Sequence, residues 1–249
     1  MADAHPTPGW YGKLPTLGDF ASRRLEASFI EPWDLWLGEG LAAQRELLGE
    51  AWLDAYLGSA VWRFVLMPGA LPGQPEPAAL AGVLMPSVDR VGRYFPLTVV
   101  TKLPRLPVSA GEVEGLLGWL HRLEDLAVDA LHEDWSIDDL EAALQVLPAP
   151  VALGALPHDL AATQQLLAEA MAGGGFVDMT AVGSRSDLAL LLSDTVGGAA
   201  PPVGGDLAFW LADNPAAPRL LVSRGLPGRE QIVSMLGANG REPGAETIF

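Results

Sequence analysis

Residues 61–103 read VWRFVLMPGALPGQPEPAALAGVLMPSVDRVGRYFPLTVVTKL, and three runs within them, Val61–Met67, Leu80–Pro86 and Phe95–Leu103, have the composition of strands. A Pro/Gly loop from Pro68 to Pro77 joins the first two, and the turn Asp89-Arg90-Val91-Gly92-Arg93 joins the last two. Short, turn-rich connections make sequential runs antiparallel neighbours, so the stretch predicts a three-stranded meander. Val83-Leu84-Met85 and Leu97-Thr98-Val99-Val100 are continuously apolar or β-branched, which predicts strands covered on both faces. The fold class that follows is α/β in the α+β sense: a mixed, mainly antiparallel sheet with a β-meander and helices packed on its faces.

Working outward, Trp10-Tyr11-Gly12-Lys13-Leu14 reads as an edge strand stopped by Pro15, and Thr16-Leu17-Gly18-Asp19-Phe20 as a turn. Residues 29–49 set Phe29, Trp33, Trp36, Leu37, Leu41, Leu47 and Leu48 on one apolar stripe, with Pro32 in the expected first turn. Residues 51–57 add a short helical segment whose Trp52 and Tyr56 are expected in the core. Beyond residue 108, Val113, Leu116, Leu117, Leu120, Leu123, Leu126 and Leu131 recur at helical spacing after the candidate cap Ser109, and a second helix starts at Ser136-Ile137-Asp138-Asp139. A helix is expected over Leu160–Met171, stopped by Gly173-Gly174-Gly175; Leu188–Leu192 fits helix or strand, and 197–205 is a loop. Leu207–Leu211 and Leu220–Ser223 look like a hairpin that extends the same sheet, and Gln231–Leu236 like a closing helix. The reading is a single domain over 1–249, in which an acidic helical region, a closing hairpin and a helix occupy 104–249.

Composition narrows the function classes. The chain has 249 residues, 49% hydrophobic and 18% charged, which excludes wholesale disorder. It has no cysteine, so a disulfide framework, a thiolate nucleophile and cysteine-based metal sites drop out. Met1–Pro8 lacks the basic and apolar regions of a secretory signal, and no apolar run approaches spanning length, so a cytoplasmic protein without direct membrane insertion is expected. The formal net charge is −16, of which residues 109–249 carry −14; ten acids against Arg122 alone lie between Glu112 and Glu141. Such a field repels nucleic acid and anionic lipid. Glu133, Asp134, Asp138 and Asp139 form either a solvated helix face or an acidic docking face for a basic partner.

No signature of a phosphate cradle, a dinucleotide turn or a nucleophile elbow occurs. His5, His121, His132 and His158 form no HxxxH pair and lie in contexts that look exposed, so no metal and no cofactor are expected. More informative are the charges in the apolar N-terminal half. Asp19, Arg23 and Arg24 follow the first strand, Asp34 lies in the first helix, and Ser87, Asp89, Arg90 and Arg93 surround the last turn of the meander. Three readings stand side by side: Arg93 or Arg90 pairs with Asp19 or Asp34 and bolts the turn to the first helix, the group is an exposed partner-binding patch, or one carboxylate is catalytic.

The segments GWYGKLPTLGDFASRRL at 9–25, FIEPWDLWLGEGL at 29–41, AWLDAYLGSAVWRF at 51–64 and GVLMPSVDRVGRYFPLTV at 82–99 resemble the TagF (ImpM) family of type VI secretion accessory proteins. Phe209-Trp210 and LLVSRGLP at 220–227 are similar to that family's closing segment, whereas 105–205 match loosely. The resemblance implies a longin-like plan and a cytoplasmic protein, not an enzyme, that represses the type VI secretion machine after translation. Its implied partner is the machine's forkhead-associated-domain scaffold protein. The competing class is a hydrolase acting on a phosphorylated regulator through Asp19, Asp89 and Arg93.

Overall fold

A computed structural model of the chain describes residues 6–107, 109–150, 176–179, 206–213 and 219–237. Within them lie the strands β1 Gly9–Gly12, β2 Ala21–Arg23, β3 Trp62–Leu66, β4 Leu80–Met85, β5 Leu97–Lys102, β6 Phe176–Met179, β7 Leu207–Ala212 and β8 Arg219–Arg224. The helices are α1 Ala27–Leu48, α2 Trp52–Leu57, α3 Ala110–His132, α4 Ile137–Val146 and α5 Arg229–Met235. No helix of the described residues is long and apolar enough to cross a membrane. The expected helix over Leu160–Met171, the segment Leu188–Leu192 and the loop 197–205 lie outside the described residues.

The strands form one antiparallel sheet in the order β2-β1-β5-β4-β3-β7-β8-β6. The meander is its centre: Trp62 to Leu66 run against Leu84 to Leu80, and Leu80 to Met85 against Lys102 to Leu97. The β7–β8 hairpin joins it through Arg63↔Leu211 to Leu66↔Ala208. Two corrections follow. The edge beside β1 is β2, whose three residues, Ala-Ser-Arg, carry too little hydrophobicity to announce a strand. The β1 strand also stops at Gly12 rather than Leu14, because Gly12 takes φ +137° and a Cβ there would strike the Pro96 carbonyl.

Both faces are covered, as the unbroken apolar runs predict. On one, Trp10, Val83, Met85, Leu97, Val99, Phe209 and Val222 meet α3 and α4 through Leu116, Leu120, Leu123, Leu140 and Leu144. On the other, Trp62, Phe64, Leu84, Val100, Trp210 and Leu221 meet α1, α2 and α5 through Phe29, Trp33, Leu37, Tyr56, Ile232 and Met235. Helix α1 starts two residues before the expected stripe, which moves Pro32 inside it. Proline cannot donate back to Ser28, and the Ser28 carbonyl instead accepts from Gln74 Nε2 at 2.5 Å. Ser109 caps α3 by accepting from Glu112 N at 3.3 Å, and Ser136 with Asp139 forms a reciprocal capping box on α4.

The last described segments complete the α1 face. Trp36 Nε1 donates to Pro227 O at 2.8 Å, Trp62 Nε1 donates to Met235 O at 2.9 Å, and Gly40 leaves the space that Ile232 fills. A fragment ending at residue 150 strips Trp33 and Phe64 of Trp210, 6.0 and 5.2 Å away between ring centroids, and is expected to melt without a cooperative transition by circular dichroism. Limited proteolysis that released two stably folded halves would contradict the single-domain reading.

Candidate functional site

The turn at Gly12 carries Lys13 into the protein, where its side chain is 3% exposed and its Nζ meets Asp89 Oδ2 at 2.5 Å. A buried ammonium requires such a partner. Asp89 lies in the β4–β5 connection, and its second donor to Oδ2 is Arg93 Nε at 2.7 Å. Oδ1 accepts from the backbone N–H of Val91 at 3.0 Å and of Arg93 at 2.9 Å, folding the turn around the carboxylate. Burial opposes a charge on Asp89, but the hydrogen bonds from Lys13, Arg93 and Val91 outweigh it and hold the carboxyl well below the usual carboxylate range.

Further bonds lock this turn to the loop after β1. Ser87 Oγ donates to Lys13 O at 2.7 Å, Arg90 N donates to Leu17 O at 2.8 Å, and the Arg93 guanidinium donates to Gly18 O. Beneath them the Tyr56 hydroxyl donates to Ser87 O at 2.9 Å and accepts from Ser87 N at 2.8 Å. Phe20 packs over Lys13 Nζ, 4.4 Å from its ring centroid, and against Tyr11 and Phe95.

The structure thus brings Ser87, Asp89, Arg93 and, at the periphery, Asp19 together, but not in the expected pairing. Arg93 binds Asp89; its guanidinium reaches Asp19 only at 3.9 Å, with both side chains more than half exposed. Asp34 takes no part, because it accepts from the Tyr11 hydroxyl, whose pKa rises well above the usual phenol range through burial first and then through Asp34. The turn is bolted to the β1 loop and not to α1. Arg90 stands exposed at the tip, and Arg23 pairs with Trp10 across β1–β2 and adds its field to that of Arg24 at Glu141. Lys13 is the member that sequence reasoning missed, although a lone lysine between Gly12 and Leu14 in an apolar strand is itself a sign of a buried partner. For a hydrolase the arrangement is unfavourable: four donors occupy the two oxygens of Asp89, and Asp19 is turned to solvent.

All four residues of the acidic face are exposed; Asp139 also serves the α4 capping box, Glu133 accepts from Trp135 Nε1 at 2.9 Å, and Asp134 takes φ 51°. Thr16 Oγ1 donates to Trp135 O at 2.8 Å, which sets this turn beside the β1 loop. Elsewhere Arg63, buried in β3, meets Asp213 Oδ1 at 2.7 Å, Glu124 Oε2 at 3.3 Å and His121 Nδ1 at 2.8 Å. His121 is therefore partly buried, contrary to the expectation of exposure. The ligand atoms of His121, Glu124 and Asp213 lie within 4.8 Å of one another, close enough to share a cation, but the Arg63 guanidinium already supplies the positive charge there.

Asp89→Asn leaves Lys13 buried without a counter-charge and is expected to lower Tm by on the order of 10 °C, measured by differential scanning calorimetry. Lys13→Met combined with Asp89→Asn should be less damaging than the sum of the two, since the pair is removed together. A carboxyl whose folded pKa is depressed contributes stability above its unfolded value of about 4 and loses it as pH falls through the folded value. The Tm gap between the native protein and Asp89→Asn should accordingly narrow below about pH 4.

Comparison with known proteins places this geometry. A family model described as the TagF N-terminal domain, type VI secretion system-associated, matches residues 9–147. The crystal structure of PA0076 from Pseudomonas aeruginosa PAO1 is similar over 97% of this chain and 99% of its own, with a TM-score of 0.64 and 32% sequence identity. A comparison with curated proteins returns no match. The matched family segment contains both halves of the Lys13–Asp89 assembly, and the chain belongs to the TagF family of type VI secretion system-associated proteins.

Proposed function

We propose that the chain is a cytoplasmic regulator that represses the type VI secretion machine after translation, by binding protein and not by catalysis, with the forkhead-associated-domain scaffold of the machine as its partner. The observation that carries this reading is the saturation of Asp89. The most strongly perturbed carboxylate of the candidate site holds four donors and has no lone-pair direction left for a substrate, so its strength goes into fixing two surface loops. Rigid loops are what a binding protein needs, because each immobilised loop spares the ordering entropy of association. Family membership supplies the secretion context.

Repression by occupancy requires affinity and stoichiometry, not turnover. Overproducing the protein in a bacterium with a compatible type VI system should silence secretion while transcripts and component levels stay unchanged. Purified scaffold should bind the full chain at a fixed stoichiometry by calorimetry. Undiminished secretion at high expression, or a scaffold that fails to bind, would remove the reading.

A further inference from the structure

We infer that the bolted pair of loops at 16–20 and 89–93 is a docking surface for a protein segment that presents carboxylate side chains beside an apolar residue; naming that surface deepens the binding role proposed above. Its apolar part is Phe20, 44% exposed, and Val91, 63% exposed. Phe20 is held from below by Tyr11 and Phe95, whose ring centroids lie 5.9 and 4.8 Å from its own, so its outer surface is presented without freedom to retreat. Val91 sits at the tip of the turn, where only its backbone N–H is used by the fold. An apolar side chain in that position contributes nothing to the core, and aromatic and arginine groups on rigid ground are typical anchors of interfaces.

The charge of the surface fixes the partner's chemistry. Arg90 is exposed beside Val91, and among the described residues no carboxylate lies within ion-pair distance of it. Arg93, more than half exposed, is engaged by Asp89 and the Gly18 carbonyl and lies 3.9 Å from the exposed Asp19, so Arg90 is the cation of this surface left for a partner. The Arg90 guanidinium, with the half-engaged Arg93 beside it, makes a local site for a planar carboxylate in a chain of net charge −16. The same net charge, with the acidic α3–α4 turn held beside the loop by Thr16, repels an extended polyanion such as a nucleic acid or an anionic membrane. What fits is a short segment with few carboxylates and an apolar anchor.

The test uses the full chain and two probes: purified forkhead-associated-domain scaffold, and a fluorescein-labelled peptide of alternating aspartate and leucine. Arg90→Glu and Val91→Asp alter exposed side chains that lie outside the hydrogen bonds and ion pairs locking the two loops, and both should keep the native Tm. Each is expected to weaken scaffold binding at least about tenfold and to abolish peptide binding, whereas Leu47→Asp and Leu57→Asp, exposed on α1 and α2, should leave both unchanged. If the scaffold fails to bind the native chain while the peptide binds and is lost in Arg90→Glu, the partner is wrong and the surface stands. A native chain that does not bind the peptide, a peptide affinity indifferent to Arg90→Glu, or tighter binding of lysine–leucine or phosphoserine–leucine peptides would overturn the inference.

Discussion

Taking an ammonium and a carboxylate out of water is unfavourable, and their mutual attraction offsets the loss only when the remaining donors and acceptors are also met. Lys13 and Asp89 satisfy that condition through four groups contributed by two stretches 76 residues apart: Phe20 against the ammonium, and Arg93 Nε with the N–H groups of Val91 and Arg93 around the carboxylate. Because removing any one of them leaves a buried charge short of a partner, the pair permits little variation in where the loops sit. It also explains why the β4–β5 connection is more than a turn. The connection is fixed at its ends by the paired strands and at its tip by the loop that follows β1.

The sheet beneath is tied together by aromatic packing and by long-range indole hydrogen bonds. Trp33, Trp36, Phe64 and Trp210 form one aromatic cluster with centroid separations of 4.9 to 6.0 Å, and three buried indoles find acceptors: Trp33 Nε1 at Thr98 Oγ1, Trp36 Nε1 at Pro227 O and Trp62 Nε1 at Met235 O. Two of those acceptors come from beyond residue 220, so the C-terminal elements finish a core begun by the family segment. The central strand β3 makes the dependence plain, with β4 on one side and β7 on the other. On its α3 face Arg63 is another buried cation met by acids from α3 and from the end of β7, a second fastener of the same kind.

Sequence patterning revealed the elements whose burial is written in composition. The meander, the hairpin, the caps at Ser109 and Ser136 and the apolar stripe of α1 all follow from side chains that report their own environment. It is silent on β2, whose pairing with β1 is a long-range matter, and on β6, the four residues that directly follow a glycine run that reads as loop. The candidate site was half legible. Asp89 and Arg93 stand out as an excess of charge in a turn, but Asp19 and Asp34 carry the same charge and nothing in their spacing sets them apart. What separated them was burial, since Asp89 is 3% exposed and the other two are not enclosed to that degree, and burial is decided by long-range contacts. Lys13 was hidden by the opposite bias, because a lysine is assumed to point outward.

A protein that regulates by occupancy must present the same surface each time it meets its partner, and it must do so in loops, where backbone groups and exposed side chains are available. Loops are also the least constrained parts of a fold. The buried ion pair resolves that conflict, since a hydrophobic anchor of similar size would hold the loops in place without dictating the direction of each backbone N–H, whereas a carboxylate with four directional donors fixes both. The most strongly held carboxylate of the described N-terminal half therefore lies just beneath two exposed apolar side chains, Phe20 and Val91. An enzyme aims its perturbed groups at a substrate; here Lys13 and Asp89 face inward, which is the arrangement the proposed binding role calls for.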